Sequence, residues 1–210
     1  MSQPIEPPKG CTQCARLVDY RTANQAAYPD FHNAPVPSFG PLSAELLIVG
    51  LAPGLKGANW SGRPFTGDYA GDLLYPTLLT FKLGTGTYGA CADDGLELTN
   101  CRITNAVRCA PPENKVNGTE IKACNPYLVA EIAAMPKLKN LIALGTVAHN
   151  AVLKTLGIKQ SVHKFGHCAQ HDLGDGLTLT DSYHCSRYNT NTGRLTEEMF
   201  HDVFRTVIGP

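Results

Sequence analysis

Four short apolar runs, each ending in a loop dense with glycine, asparagine, histidine or arginine, constrain this chain more than any other feature. Glu45-Leu-Leu-Ile-Val-Gly50 leads into LAPGLKGANWSGRPFTGD, and Cys101-Arg-Ile-Thr-Asn-Ala-Val107 leads into RCAPPENK. Asn140-Leu-Ile-Ala-Leu-Gly145 leads into TVAHN, and Leu177-Thr-Leu-Thr180 leads into DSYHCSRYNTNTG. Short apolar runs of this kind fit parallel strands buried on both faces. Helical patterns alternate with them over 71–83, 146–156 and 196–208, the last with Phe200, Val203, Phe204 and Val207 as its stripe. Asn125-Pro126 reads as an N-cap followed by proline at the first helical position, opening a helix that should stop before Pro136.

This alternation predicts an α/β fold, a mostly parallel sheet between two helical layers, with ligands bound beyond the carboxyl ends of the strands. Residues 1–10 are Pro-rich and expected to be extended, and residues 22–41 read as a loop wrapped on the domain. No repeat or linker divides the 210 residues, so 1–210 is expected to be one domain.

The first loop carries Gly50, Ala52 and Gly54, then Gly57, Asn59, Gly62, Arg63, Phe65, Thr66, Gly67 and Asp68. Glycines let a backbone approach a ligand and present amide groups to it. The sequence matches neither a Walker loop nor a dinucleotide fingerprint, and a purely structural turn is equally consistent with it. Asp68 is placed to act as a base, or simply to cap a helix. In the last loop, His184 stands at a strand end beside Arg187, Tyr188, Asn189 and Arg194 with no acid nearby, as in a loop that meets a polyanion. His163, His167 and His171 fall at four-residue intervals, but Gly166 interrupts them and no function is assigned.

Eight cysteines without a secretion signal argue for metal or redox chemistry over a disulfide framework. Cys11 and Cys14 have compact ligand spacing; Cys109 and Cys124, at element boundaries, complete a set of four. Four thiolates suit zinc or an iron–sulfur cluster equally by count, and the spacing matches no standard pattern of either. Cysteines 91, 101, 168 and 185 read as small buried or partly exposed residues.

Net charge is zero, from 18 basic and 18 acidic residues, which speaks against a broad polyanion-coating surface. Segments 50–67 and 183–196 nevertheless hold Lys56, Arg63, Arg187 and Arg194 and no acid, so charge is locally biased. No run approaches membrane-span length and Met1 to Gly10 has no signal-type stretch, so a cytoplasmic protein is expected.

GLAPG…GRPFTGD, NAVRCAPPENK and HCSRYNTNTGRLT, in that order and with CTQC near the start, resemble the family 5 (type b) uracil-DNA glycosylases of bacteria and archaea. The resemblance runs from about residue 10 to residue 205. It implies a four-stranded parallel sheet between helices and a structural 4Fe–4S cluster on Cys11, Cys14, Cys109 and Cys124. It also implies excision of uracil from double-stranded DNA by base flipping, leaving an abasic site, with hydroxymethyluracil and deaminated purines such as hypoxanthine as further substrates. A monomer acting on DNA is expected.

The same resemblance implies the roles of individual residues. Phe65 stacks the extruded base, Asn105 reads its edge, and His184 donates to the departing anion. Backbone of the Gly50–Gly54 turn assists, while Asn59, Arg63, Arg187, Tyr188 and Asn189 meet the duplex. Better-known superfamily members carry Asp or Asn where this chain has Ala52, and others Glu at the place of Leu51. Asp68 is therefore expected to orient the water. Three rivals stand beside this reading. One is a non-catalytic cysteine-metal nucleic-acid-binding protein; another is a nucleotide or phosphate-ester hydrolase, for which the loops supply too few carboxylates. The third is an inactive or crosslinking relative that binds uracil without turning it over.

Overall fold

The computed structural model describes residues 5–209, so residues 1–4 of the expected extended N-terminal segment lie outside it. In chain order the elements are α1 (Ala15–Ala27), β1 (Leu46–Gly50), α2 (Ala58–Ser61), α3 (Tyr69–Thr80), β2 (Gly84–Thr85) and β3 (Glu97–Leu98). There follow β4 (Cys101–Asn105), α4 (Gly118–Ala133), β5 (Asn140–Leu144), α5 (Thr146–Thr155), β6 (Gln170–Asp172), β7 (Thr178–Ser182), α6 (Arg187–Asn191) and α7 (Glu197–Ile208).

The expected α/β architecture is present, with one strand added. Among the described residues the main sheet has five strands in the order β4-β1-β5-β7-β6, and β2 pairs with β3 in a separate hairpin. The four strands foreseen from the apolar runs are parallel; β6 joins β7 antiparallel at the edge. Its Gln-His-Asp sequence is polar and three residues long, so no apolar run announces it.

Alternate residues of the strands serve opposite layers. Leu46, Ile48, Ile103, Ile142 and Leu144 pack with α3 and α7, whereas Leu47, Val49, Leu141, Ala143 and Leu179 pack with α4 and α5. Burial on both sides explains why these runs are apolar throughout. Connections leaving β1 and β5 run to opposite sides of the sheet, which opens a crevice at their carboxyl ends.

Two sequence expectations are corrected. Residues 22–27, read as loop, belong to α1, which buries only Leu17 and Asn24 and whose Arg16 side chain bonds Glu120 of α4 at 2.8 Å. The helix expected from Asn125 begins instead at Gly118, with Pro126 inside it. Asn117 accepts from the Glu120 N–H and the Glu120 side chain accepts from the Asn117 N–H, a reciprocal capping box that fixes the start.

Two of the histidines left without a function, His167 and His171, have structural work. Asp181, fully buried on β7, accepts from His149 Nδ1 at 2.7 Å, from His171 Nε2 at 2.8 Å and from the Gly166 N–H at 3.2 Å. His167 Nδ1 accepts from the Tyr183 N–H at 3.1 Å. These bonds fasten the segment before β6 onto the strand that ends beside His184.

Candidate active site

Strand register assembles the site. Gly50 pairs with Asn105 at the carboxyl ends of β1 and β4, which brings the first and second loops into contact. A β-carbon at Gly50 would collide with Asn105 Oδ1 and with the Phe65 ring, so only glycine lets these three residues share one place. Asn105 is 4% exposed and its Oδ1 has no hydrogen-bond partner. Phe65 is likewise buried, with φ +53. Its ring centroid lies 6.0 Å from that of His184, which arrives from the end of β7.

Beside this cluster opens a cavity of about 390 Å³ lined by Ala52, Gly54, Asp68, Asn114, His184 and Arg187, among others. A second, of about 650 Å³, shares Gly54, Asp68, Asn114 and Arg187 and extends along Lys56 and Gly57 toward Tyr20 of α1. The two form one groove across the strand ends. Asp68 and His184 face it, whereas Gly50, Phe65 and Asn105 line neither cavity.

Asp68 satisfies both sequence readings at once. Its Oδ1 accepts from the Gly71 N–H at 3.1 Å and so caps α3, while Oδ2 faces Gly54 and Gly57. Burial raises its pKa, partly offset by the hydrogen bond from Gly71 and reinforced by the nearby Asp72 charge. Burial also lowers the His184 pKa to about 4, which keeps the imidazole neutral at physiological pH. The pair therefore comprises a carboxylate moved toward the working range of a base and a neutral imidazole able to donate one N–H.

The chain matches the family described as the uracil DNA glycosylase superfamily over residues 37–207. It belongs to that superfamily. A type-5 uracil-DNA glycosylase of Thermus thermophilus is 42% identical, with 92% of this chain and 90% of the relative covered. Type-5 enzymes of Pyrobaculum aerophilum and Mycobacterium bovis are 38% and 39% identical, each over 93% of this chain and over 86% and 76% of their own lengths.

Within this glycosylase framework, two expected DNA contacts are displaced. Asn59 is buried and its Nδ2 donates to Asn33 Oδ1 at 2.9 Å. Arg63 is 4% exposed and engages Asp94 through both terminal nitrogens, at 2.8 and 2.7 Å. Neither side chain is exposed at the surface. Asn189 turns inward as well, donating to the His184 carbonyl at 2.8 Å. Arg187 and Tyr188 do project, Arg187 over the Tyr69 ring and Tyr188 with 72% exposure.

Asn114 was not assigned a role from sequence. It lines both cavities, in a single 3-10 turn (Pro112–Asn114) where Glu113 and Asn114 both have φ +55. Consecutive left-handed residues other than glycine mark a turn held against its preference. The only sequence signal was its position after Pro-Pro.

Cys11, Cys14, Cys109 and Cys124 converge on a small apolar cavity with Leu17, Val18, Arg21 and Val107. Burial and the neighbouring thiols push Cys109 up to about 12 and Cys124 up to about 11. The Arg108 N–H donates to Cys124 Sγ at 3.4 Å, and Arg21 Nη1 lies 3.8 Å from Cys109 Sγ.

Proposed function

We propose that the protein excises uracil from DNA by hydrolysing the N-glycosidic bond of a flipped deoxyuridine. Among the structural features, the one that carries this reading is the orphaned Asn105 Oδ1, buried beside the Phe65 ring at a strand end. An amide presents a donor and an acceptor side by side, which matches the edge of a pyrimidine. Type-5 uracil-DNA glycosylases at about 40% identity over most of the chain support the same assignment. The non-catalytic binding reading has no support of this kind.

Each step has a residue placed for it. Flipping costs a few kcal/mol, least at a mismatch, so uracil opposite guanine is favoured. The base stacks on Phe65 and bonds Asn105. Cleavage builds cationic character on the sugar and negative charge on uracil O2. Neutral His184 donates to that oxygen, and backbone amides around Ala52 and Gly54 add to the field. Asp68 Oδ2 orients water over the Gly54–Gly57 turn and offsets the sugar charge. Arg187 and Tyr188 meet the duplex beside the extruded nucleotide, the aromatic ring filling the gap. With Ala52 in place of a carboxylate, little in the first loop excludes a larger base, which favours activity on hydroxymethyluracil and hypoxanthine.

The four cysteines fit a 4Fe–4S cluster. Tetrahedral zinc, with Zn–S near 2.3 Å, needs sulfurs about 3.8 Å apart. Among the described residues, the three ligand atoms that meet within 4.8 Å belong to His149, His171 and Asp181 and not to the thiols. A wider quartet with apolar walls, a backbone N–H on one sulfur and two guanidinium groups nearby favours an anionic cluster. When bound, the cluster is a structural cross-link; Cys11 and Cys14 would tie α1 to Cys109 and Cys124 around the second loop. That tie, with a site built from loops of one chain, supports a single domain over 1–210 that acts as a monomer. Among the described residues, no helix is long and apolar enough to cross a membrane.

The test is base release from a labelled duplex with one deoxyuridine opposite guanine, followed by alkaline cleavage. Strand cleavage at that position, lost in the Asp68→Ala, His184→Ala double variant, is the expected result. Absence of cleavage by cluster-loaded native protein would overturn the assignment.

A further inference from the structure

Phe65, the platform in the reading above, holds a backbone conformation that aromatic residues rarely adopt, with φ +53. Such a conformation persists only where its surroundings over-determine it. The surroundings here come from a part of the chain that carries none of the motifs. Asp94 lies in the loop between β2 and β3, and its carboxylate accepts from Arg63 Nη1 and Nη2 at 2.8 and 2.7 Å. It also accepts from the backbone N–H groups of Gly89, at 2.9 Å, and Leu96, at 3.0 Å. The two Arg63 bonds tie the hairpin to the loop that bears Phe65, and the Gly89 and Leu96 amides hold the carboxylate within the hairpin.

Arg63 transmits that hold. Its Nε donates to Thr66 Oγ1 at 2.7 Å, and its guanidinium lies 5.1 Å from the Phe39 ring centroid and 5.2 Å from that of Tyr75. Tyr88, from the same hairpin, stacks on Tyr75 with centroids 4.6 Å apart. Its hydroxyl lies 3.4 Å from both the Gly67 N–H, which donates to it, and the Phe65 carbonyl, which accepts from it. Tyr75 in turn donates to the Pro64 carbonyl. Residues 63–67 are thus held on both sides of Phe65, by groups that reach them from residues 75–94.

We propose that Asp94 and Tyr88 are positioning residues for base excision: the β2–β3 hairpin fixes Phe65 in its left-handed conformation and so sets where the extruded base stacks. The proposal rests on Phe65 being the platform. It differs from a stability role in that the hairpin acts on the reaction through one ring.

The experiment measures kcat and KM on the deoxyuridine–guanine duplex for Asp94→Asn and Tyr88→Phe, each in the native and the Phe65→Ala backgrounds, with melting temperature alongside. In the native background Asp94→Asn is expected to lower kcat/KM about tenfold and Tyr88→Phe about threefold, below the hundredfold that a full ångström of misplacement can cost. In the Phe65→Ala background the same changes are expected to alter kcat/KM less than about twofold, because coupled residues are non-additive. Equal losses in both backgrounds, or no loss in the native one despite a lowered melting temperature, would overturn the proposal. If Asp94→Asn fails to fold, Tyr88→Phe, which deletes a single oxygen, decides alone. An active native enzyme indifferent to Phe65→Ala removes the platform reading first, and the hairpin proposal with it. A Phe65→Ala defect combined with additive hairpin variants removes only the proposal about the hairpin.

Discussion

The loop that leads into α3 and the loop that opens α6 look alike in sequence and behave in opposite ways. Both follow a parallel strand and combine arginine, an aromatic residue and asparagine, with no acid in 51–67 or 183–196. In the first, Arg63, Phe65 and Asn59 are all buried. In the second, Arg187 and Tyr188 stand out into solvent. What separates them is a partner distant in sequence. Asp94 meets Arg63 from 31 residues away, at 2.8 Å, whereas Arg187 has an aromatic face beneath it and no carboxylate partner among the described residues. An arginine in a DNA enzyme is thus no guide to the phosphate backbone until its carboxylates are located.

Four changes break or sharpen that contrast. The largest effect is expected from Asp68→Asn, because amide and carboxylate cap a helix equally well but only the carboxylate can act as a base. Its kcat should fall by about 10²–10⁴ while the melting temperature stays nearly unchanged, as single-turnover kinetics and calorimetry would show. Equal loss of both would return Asp68 to a capping role alone. His184→Gln comes next, with kcat down about 10²–10³ if the imidazole N–H stabilises the departing base.

The pH profile of kcat/KM sharpens the division of labour between these two. Asp68 must be ionised and its pKa is raised, so activity should fall as pH drops through that raised value; His184 stays neutral down to about 4. An acid limb set by Asp68 should vanish in Asp68→Asn, and a limb unchanged there would contradict that role. The effects on stability and on salt dependence are the most diagnostic of the two loops. Arg63→Ala, which leaves Asp94 buried without its cation, should cost about 3–5 kcal/mol of stability and leave the salt dependence of DNA binding intact. Arg187→Ala should reduce the salt slope by about 0.9 and leave the melting temperature alone. Interchanged outcomes would mean that the two loops have been assigned the wrong way round.

The sequence disclosed those features that depend on neighbours along the chain. Four parallel strands were legible because burial on both faces leaves an unbroken apolar run, and α7 because Thr196 caps it ahead of a clear stripe. The start of α4 was missed: Asn117 and Glu120 form its capping box, but Asn125-Pro126 imitates the same signal. A proline just over two turns into the helix removes one backbone bond, and the cap and the Arg16 pair sustain the rest. Edge strand β6 and the β2–β3 hairpin carry no periodicity, since three or two residues cannot show one. At the site, the convergence of Asp68 and His184 followed from their strand-end positions. The inward turn of Arg63, Asn59 and Asn189 did not, because it depends on partners that only folding brings near.

Asn105 has a consequence for how such a chain drifts over time. A buried acceptor without a donor costs the free protein on the order of 1–3 kcal/mol, and an apolar residue of similar shape would relieve that cost. Selection for folding alone therefore opposes the amide, and under the proposed function it is recognition of a base that retains it. In a lineage released from repairing DNA, position 105 should be among the first of the strand-end positions to change, while Gly50 and the two-faced strands beside it persist. An alanine or leucine there would mark a descendant that has kept the scaffold and given up its chemistry.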